Sequence, residues 1–328
     1  KTDCATFFMR AGFSGVQAHC PLLWAGDQCV DFTRHDGINT VITAALSSGL
    51  LGNAYHHSDL GGYTSLHGVV RTAELMHRWI DLAAFAPVMR SHEGNRPADN
   101  LQLDSCPEIL RHFARMSQVH AQLAPYVRAL RDAAVATGLP LQRPLFLHYD
   151  DPAYFDIQDQ YLYGADLLVA PVIEQGATAR EVILPGEGPW RHVWSGMDYA
   201  PGTHMVPAPI GQPPVFFSPD SSFAALFAAA AGPVAEGGMR LGDGAVDVGG
   251  GGFGQGFAVG FAGAGVDAGD VAAAGADIEN AMAAEIAEQP EALARLLAPD
   301  ALARARLLSE TIRERSPRFV LLAARGTS

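Results

Sequence analysis

The sequence has little of what nucleic-acid-binding and membrane-bound proteins need. Charged residues make up 17% of its 328 residues, the formal net charge is -13, and Lys1 is the only lysine among the 22 basic residues. An acidic chain of this kind is a poor partner for nucleic-acid phosphates or anionic membrane surfaces. No apolar run approaches the roughly 20 residues of a membrane-spanning helix. We therefore expect neither a nucleic-acid partner nor a membrane partner.

Cysteine is also scarce, and its spacing is not that of a metal site. The four cysteines lie at positions 4, 20, 29 and 106, without the short paired gaps typical of zinc ligands. The cysteine pattern predicts a cytoplasmic protein with reduced thiols and no cysteine-bound metal. The oligomeric state stays open.

Composition divides the chain into four predicted parts. Residues 1–137 and 138–228 have the varied composition of globular domains, whereas residues 231–280 contain 16 glycines and 11 alanines in 50 positions. Such a segment buries too little apolar surface to offset its ordering entropy, so 229–280 is predicted to be disordered. It is either a flexible linker or read-through of GC-rich non-coding DNA. A helical pattern resumes in 281–328.

The first part predicts half of a barrel. Short apolar runs alternate with helical stretches, which is typical of βα units and a parallel sheet; the runs lie at 6–9, 21–25, 53–55 and 85–89. Polar residues follow the runs, at the strand ends where TIM barrels carry function: Arg10, Asp27, Asp59, Arg90 and His92. Four strands of eight cannot close a barrel, so we expect an N-terminal half to be missing.

The second part predicts an antiparallel β domain. Residues 107–137 have the apolar spacing of one long helix, and short strands with turn residues follow after Gly138. The predicted strands are 144–149, 167–171, 181–185 and 192–194. The fold class is therefore α/β: the C-terminal half of a (β/α)8 TIM barrel, an antiparallel β domain, a disordered Gly/Ala segment and a short helical tail.

The ordered motifs of the first 228 residues resemble those of glycoside hydrolase family 31. The resemblance rests on Met-Arg-Ala-Gly-Phe-Ser-Gly at 9–15, Trp-Ala-Gly-Asp at 24–27, His-Ser-Asp-Leu-Gly-Gly-Tyr at 57–63, and Arg-Ser-His-Glu-Gly-Asn at 90–95. Gly-Ala-Asp-Leu-Leu-Val-Ala-Pro at 164–171 and Ile-Gly-Gln-Pro-Pro-Val-Phe at 210–216 are similar to the domain that follows the family's barrel. Within the family, Gln28 and Tyr63 are typical of the sulfoquinovosidases.

The resemblance implies a retaining α-glycosidase without cofactor, acting on a small-molecule glycoside. It places the acid/base at Asp27, with Trp24 beside it. Arg10 and His92 would bind sugar hydroxyls, and Tyr63 would hold a sulfonate through water. Asp59, by resemblance, orders the site. A retaining enzyme also needs a carboxylate nucleophile, and nothing in the sequence matches the family's. Asp3 and Asp31 do not fit, so we expect the chain itself to be inactive.

Each assignment has a structural alternative. Asp27 could cap a helix, His92 could be a structural histidine, and Tyr63 a half-buried packing residue. His56, His57, Asp59 and His92 could be metal ligands, but adjacent residues of a strand point to opposite faces, so the two neighbouring histidines cannot face one ion. Trp190 and Trp194 could form a sugar platform, although core packing is the commoner role. A neutral-sugar α-glucosidase of the same family is the alternative activity.

The tail has a resemblance of its own. Met282-Ala-Ala-Glu-Ile-Ala-Glu-Gln-Pro, with Arg325-Gly-Thr-Ser at the end, is similar to the start of a sugar-phosphate-binding SIS domain. That resemblance implies phosphate binding by Thr327 and Ser328, in a turn that precedes a helix. Met282 also fits a start codon, which would favour read-through between two genes. A non-catalytic sugar-phosphate-binding SIS protein is thus a further alternative.

Overall fold

The computed structural model describes residues 8–11, 15–20, 22–230 and 232. Almost all of the predicted linker 229–280 and the whole SIS-like segment 281–328 lie outside the described residues, and so do Thr327 and Ser328. None of the described helices is long and apolar enough to cross a membrane.

The N-terminal part consists of short parallel strands connected by helices. In chain order its elements are β1 (Leu22–Trp24), α1 (Asn39–Leu50), β2 (Tyr55–His57), β3 (Asp59–Leu60), α2 (Ala73–Ala83) and β4 (Arg90–Ser91). β1 pairs with β2 in parallel, and β3 with β4. Met9 adds a parallel bridge to Leu23 on the other side of β1. The carboxyl ends of these strands therefore share one edge, which is where their polar residues meet.

The sequence of α2 explains why this helix forms and packs against the sheet. Thr72 caps its first turn by accepting a hydrogen bond from the Leu75 amide at 3.2 Å, and Glu74 lies in that turn, where the helix dipole favours an acid. Leu75, Trp79 and Ile80 are at most 1% exposed. Burying such side chains contributes about 1.5–3 kcal/mol each, so the apolar face holds the helix on the sheet.

The predicted single helix over 107–137 is wrong in one respect, because the structure has two helices there. α3 (Pro107–Gln122) ends next to Leu123, and α4 (Ala124–Thr137) begins immediately after it. Pro125 has no amide hydrogen to continue the α3 hydrogen-bond pattern and disfavours helical geometry at the preceding residue. The chain therefore bends at this point, and Gly138, with φ +76°, ends α4 in the left-handed region.

An antiparallel β domain follows, as predicted. Its strands are β5 (Gln142–Arg143), β6 (Tyr161–Tyr163), β7 (Leu167–Val169), β8 (Ala179–Leu184), β9 (Trp190–His192), β10 (Asp198–Tyr199), β11 (Gly202–Pro207) and β12 (Val215–Phe217). Six of them form one sheet in the order β10-β9-β12-β7-β6-β5, and β8 and β11 form a separate pair. The strand expected at 144–149 is wrong: Leu145–Leu147 forms a 3-10 turn.

The β domain is bound to the helices of the first part. Arg78 of α2 donates to the carbonyls of Ala208 at 3.0 Å and Ala177 at 2.7 Å, both in the β domain. The last helix of the described residues, α5 (Ala224–Ala230), packs on α4, where the rings of Phe227 and Tyr126 lie 4.8 Å apart. The two parts therefore share one continuous apolar core, to which both residues belong.

Candidate active site

Asp27, the predicted acid/base, lies at the carboxyl edge of the parallel sheet. Its Oδ2 faces the Arg10 Nη2 at 3.2 Å, and the side chains are 23% and 43% exposed, respectively. The Arg10 guanidinium also lies 5.4 Å from the centre of the Trp24 ring. Oδ1 of Asp27 has no hydrogen bond within the part of the chain that the structure describes. The pair thus leaves one carboxyl oxygen and several arginine donors open to a ligand.

Asp59 is more buried than Asp27, and the register of its strand places it beside Arg90. Asp59 of β3 is the direct parallel neighbour of Arg90 of β4, and Oδ1 accepts a hydrogen bond from the Arg90 Nη2. The carboxylate is fully buried. Burial raises the pKa of Asp59, while the charge of Arg90 and the nearby His92 and Trp24 side chains oppose this effect. Asp59 is thus held by an arginine, which suits an ordering role.

Arg90 connects Asp59 to the aromatic rings of Phe8 and Trp24. Its guanidinium lies 5.0 Å from the Phe8 ring centre and 5.5 Å from that of Trp24, and its Nε donates to His57 Nε2 at 3.2 Å. An accepting Nε2 puts the proton of a neutral His57 on Nδ1. Burial, with the neighbouring charge of Arg90, lowers the pKa of His57 to about 3. His57 is therefore a neutral acceptor that orients Arg90.

Tyr63 and His92 form a second pair of predicted site residues. Their ring centres are 5.0 Å apart at an interplanar angle of 82°, an edge-to-face contact. The Gly94 amide donates to His92 Nδ1 at 3.0 Å, so the proton of a neutral His92 is on Nε2. His92 can therefore donate a hydrogen bond to a ligand oxygen through Nε2.

Backbone contacts connect the Asp27 loop to the Tyr63 loop. The Gln28 carbonyl accepts from the amides of Tyr63 at 2.8 Å and Thr64 at 2.9 Å, and the Thr64 hydroxyl donates to the Asp27 carbonyl at 2.8 Å. Gly62 makes this approach possible: its φ is +76°, and a Cβ there would lie 2.9 Å from the Cys29 carbonyl oxygen. The two loops therefore position each other.

The remaining carboxylates near Asp27 have structural roles. Asp31 Oδ1 accepts from the Thr33 amide at 2.9 Å and its hydroxyl at 2.8 Å, which closes a local turn. Asp36 contacts the Cys29 sulfur at 3.7 Å, and burial raises the pKa of Asp36. Asp3, the other acid considered from the sequence, lies outside the described residues. Within the described ranges, no group of three or more His, Cys, Asp or Glu side chains could hold a metal ion.

The two tryptophans of the β domain pack rather than face a ligand. Trp190 is 3% exposed, and its indole donates to the Pro185 carbonyl at 2.8 Å. Trp194 donates to the Pro213 carbonyl at 2.5 Å and lies under the Arg115 guanidinium, 5.5 Å from its ring centre. A sugar platform at Trp190 is therefore excluded, because its ring is buried.

Sequence reasoning missed several residues that shape the site. Phe8 and Arg90 were not assigned a role, although Arg90 was placed at a strand end. Arg71 was not singled out at all, yet it is 2% exposed and donates to the carbonyls of Gly61, Gly62, His92 and Leu101. A local sequence pattern cannot predict the role of this arginine, because its partners are backbone groups 9 to 30 residues away.

Two models of one glycosyl hydrolase family match the chain, and together they cover the half barrel and the β domain. Residues 2–130 match the glycosyl hydrolases family 31 TIM-barrel domain, and residues 138–221 match the glycosyl hydrolase family 31 C-terminal domain. The chain therefore belongs to glycosyl hydrolase family 31, and the predicted fold class of a TIM-barrel part followed by a β-sheet domain is confirmed.

Within that family, the chain is similar to sulfoquinovosidases. It is 62% identical over 229 residues to the sulfoquinovosidase of Agrobacterium fabrum and 50% identical over 223 residues to that of Escherichia coli. These alignments cover 69% and 68% of this chain but 34% and 33% of the relatives. A solved family 31 sulfoquinovosidase from E. rectale, in complex with an aza-sugar inhibitor, matches with TM-score 0.68 and 46% identity, covering 69% of this chain and 34% of that one. The chain thus spans about a third of the length of these relatives.

Proposed function

We propose that the chain contributes the acid/base half of a retaining α-glycoside hydrolase that acts on α-sulfoquinovosides. The observation that carries the proposal is Asp27: a half-buried carboxyl at the carboxyl edge of a family 31 barrel, with one oxygen on Arg10 and the other open. The names of the relatives support the substrate class. A cytoplasmic location stays a prediction from the cysteine content.

In this proposal, Asp27 acts twice. It first donates a proton to the glycosidic oxygen as the leaving group departs, and it then removes a proton from the water that hydrolyses the glycosyl-enzyme intermediate. Oδ1 is the oxygen that carries this proton, because Oδ2 faces Arg10. Trp24 packs beside the Arg10 guanidinium and limits the directions from which water reaches the pair.

The sugar would be held by the second pair. His92 donates through Nε2 to a hydroxyl, and the exposed donors of Arg10 bind another. The hydroxyl of Tyr63 has no hydrogen bond among the described residues, so it is open to a water that bridges to the sulfonate. Asp59 acts through Arg90, which it fixes by an ion pair under the site.

The nucleophile is proposed to belong to the part of the relatives that this chain does not span. Retention requires a second carboxylate about 5–5.5 Å from the acid/base. Asp31 and Asp36 are engaged in local contacts, and Asp59 is paired with Arg90. We therefore expect the chain on its own to show no turnover of an aryl α-sulfoquinovoside.

The test is a chimera that joins residues 1–230 to the part of the Agrobacterium fabrum relative that the chain does not span. We expect the chimera to hydrolyse an aryl α-sulfoquinovoside and to prefer it to the aryl α-glucoside. Asp27→Asn should lower kcat/KM on an alkyl sulfoquinovoside by about 10²–10⁴-fold, the usual contribution of general acid catalysis. The loss should be smaller on the aryl substrate, whose leaving group needs little protonation.

Asp31→Asn is the matched control, because its amide oxygen can still accept the turn's hydrogen bonds and should leave kcat unchanged. Full activity of the Asp27→Asn chimera on the alkyl substrate would overturn the role of Asp27. Preference for the α-glucoside would replace the sulfoquinovoside with a neutral sugar. Turnover by the unjoined chain would refute the proposed origin of the nucleophile.

A further inference from the structure

Arg71 is a buried cation whose partners are all backbone carbonyls. Its Nε donates to Gly61 at 3.0 Å, its Nη1 to Leu101 at 3.1 Å, and its Nη2 to Gly62 at 2.5 Å and His92 at 3.2 Å. Among the described residues, no carboxylate forms an ion pair with it. Burial lowers the pKa of Arg71 to about 10, and the charge of Asp59 opposes this.

A buried guanidinium without a carboxylate partner destabilises the folded state unless its hydrogen bonds compensate for the lost hydration. Removing a guanidinium from water is strongly unfavourable, and an apolar side chain of the same volume would avoid this penalty. The planar fork of arginine, however, has five N–H donors in fixed directions and can reach two chain segments at once. Here those segments are the Gly61-Gly62 turn, which leads directly into Tyr63, and the loop that begins at His92.

Other contacts complete a clamp between these two loops. The Asn100 Oδ1 accepts from the Arg71 amide at 2.8 Å and from the Ser65 hydroxyl at 2.7 Å. The Asn95 amide donates to the Tyr63 carbonyl at 3.0 Å, and its Oδ1 accepts from the Ser65 amide at 2.9 Å. The clamp therefore fixes the residues on both sides of the edge-to-face contact between Tyr63 and His92.

Glycines next to the Arg71 side chain also leave the space that it occupies. A Cβ at Gly61, whose φ is +79°, would lie 2.7 Å from the Arg71 Cδ, and one at Gly94 would lie 3.2 Å from its Nη2. Glycine on both loops thus leaves room for the guanidinium. A lysine in its place would bring three donors on a single nitrogen, which cannot reach four separated carbonyls in these directions.

We propose that Arg71 is a positioning residue that sets the spacing between Tyr63 and His92 and thereby tunes the choice between a sulfonated and a neutral sugar. The proposal rests on the proposed function for its substrate class, but the clamp itself does not. The two parts are tested separately.

The clamp is tested in the 328-residue chain by amide hydrogen exchange. Arg71→Lys should speed exchange in peptides covering 61–65 and 92–96 together, by about tenfold or more, because the hydrogen bonds that protect both loops weaken. Ser65→Ala, a milder change in the same clamp, should speed the same peptides less. Arg143→Lys is the control: Arg143 is also buried and donates to the Pro140 carbonyl, but it lies in the β domain.

Acceleration in only one loop, or equal acceleration in the Arg143→Lys chain, would overturn the clamp. Acceleration in both loops with Arg71→Lys and Ser65→Ala, and in neither with the control, would support it. If Arg71→Lys does not fold, the Ser65→Ala pattern alone decides between these outcomes.

The positioning role is tested in the chimera by the ratio of kcat/KM for the aryl α-sulfoquinovoside to that for the aryl α-glucoside. Arg71→Lys should lower this ratio about 5–10-fold, the effect of losing one hydrogen bond to substrate. In a Tyr63→Phe background it should leave the ratio unchanged, because the effect passes through the Tyr63 hydroxyl. A merely structural arginine would lower both activities equally and leave the ratio unchanged in both backgrounds, which would refute the proposal. A wild-type chimera that cleaves no sulfoquinovoside would instead overturn the proposed function, with the exchange result standing by itself.

Discussion

The close approach at Gly62 can be tested by adding a single methyl group. Gly62 has φ +76°, and its Cβ would lie 2.9 Å from the Cys29 carbonyl oxygen and 3.1 Å from that of Gln28. Gly68 has nearly the same φ, +82°, but a Cβ there would meet nothing within 4 Å. The two glycines therefore separate backbone strain from steric overlap.

The magnitudes follow from these two terms. An L-residue in the left-handed region costs about 1–2 kcal/mol, from which a lower entropy of the unfolded chain subtracts about 0.4–1 kcal/mol. Gly68→Ala carries only this net cost. Gly62→Ala adds the overlap with fixed carbonyls, about 1–3 kcal/mol as for other overpacked sites. The Gln28 carbonyl cannot retreat without losing its bonds to the Tyr63 and Thr64 amides.

The assay is thermal unfolding of both variants beside the unchanged chain, followed by circular dichroism. We expect Gly62→Ala to have a Tm roughly 3–10 °C below that of Gly68→Ala, from about 2–4 °C per kcal/mol in a domain of this size. In the chimera, Gly62→Ala should also lower kcat, because the displaced Gln28 moves Asp27, whereas Gly68→Ala should not. Equal Tm values for the two variants would refute the reasoning.

Two further predictions concern the core. Burial lowers the pKa of His56 to about 4, while an unfolded histidine titrates near pH 6.5. Stability is therefore lost as pH falls from 6.5 towards 4, and His56→Gln should remove about 2 kcal/mol of the loss between pH 7 and 5, measured by denaturant titration; an unchanged pH slope would contradict this. Tyr126→Phe deletes a hydroxyl that donates to the Tyr163 carbonyl at 2.6 Å and accepts from the Asp166 amide, so it should cost about 1–3 kcal/mol by the same titration. Tyr55→Phe, whose hydroxyl has no hydrogen bond in the described part of the chain, should cost much less.

The alternation of strands and helices was predictable because its pattern is local, but the strand bounds were only partly correct. The strand expected at 21–25 contains β1, and the strand expected at 53–55 overlaps β2 only at Tyr55. The strand expected at 85–89 is wrong, because residues 84–87 form turns and bends and β4 begins at Arg90. The strand expected at 144–149 failed because an apolar run of three, Leu145–Leu147, has no period that separates a strand from a turn. The split between α3 and α4 had a visible signal in Pro125.

The candidate site was predictable only where a motif carries it. Asp27 and Arg10 were expected at strand ends, and the structure pairs them. The pairing of Asp59 with Arg90 depends on strand register, which no single strand encodes. Arg71 depends on backbone carbonyls from two loops. Because every residue has such a carbonyl, the residue types along the sequence do not indicate which arginine they bind.

Helix α5 has a practical consequence for shortening the chain. The family match ends at residue 221, but Phe227 of α5 is fully buried and packs 5.7 Å from Phe217 of β12 and 4.8 Å from Tyr126 of α4. A chain cut at the domain boundary would lose Phe227 and so expose the rings of Phe217 and Tyr126 to water and to other copies of the chain. We expect this truncated chain to aggregate through the exposed apolar surface, whereas a chain that ends after Ala230 keeps the rings covered.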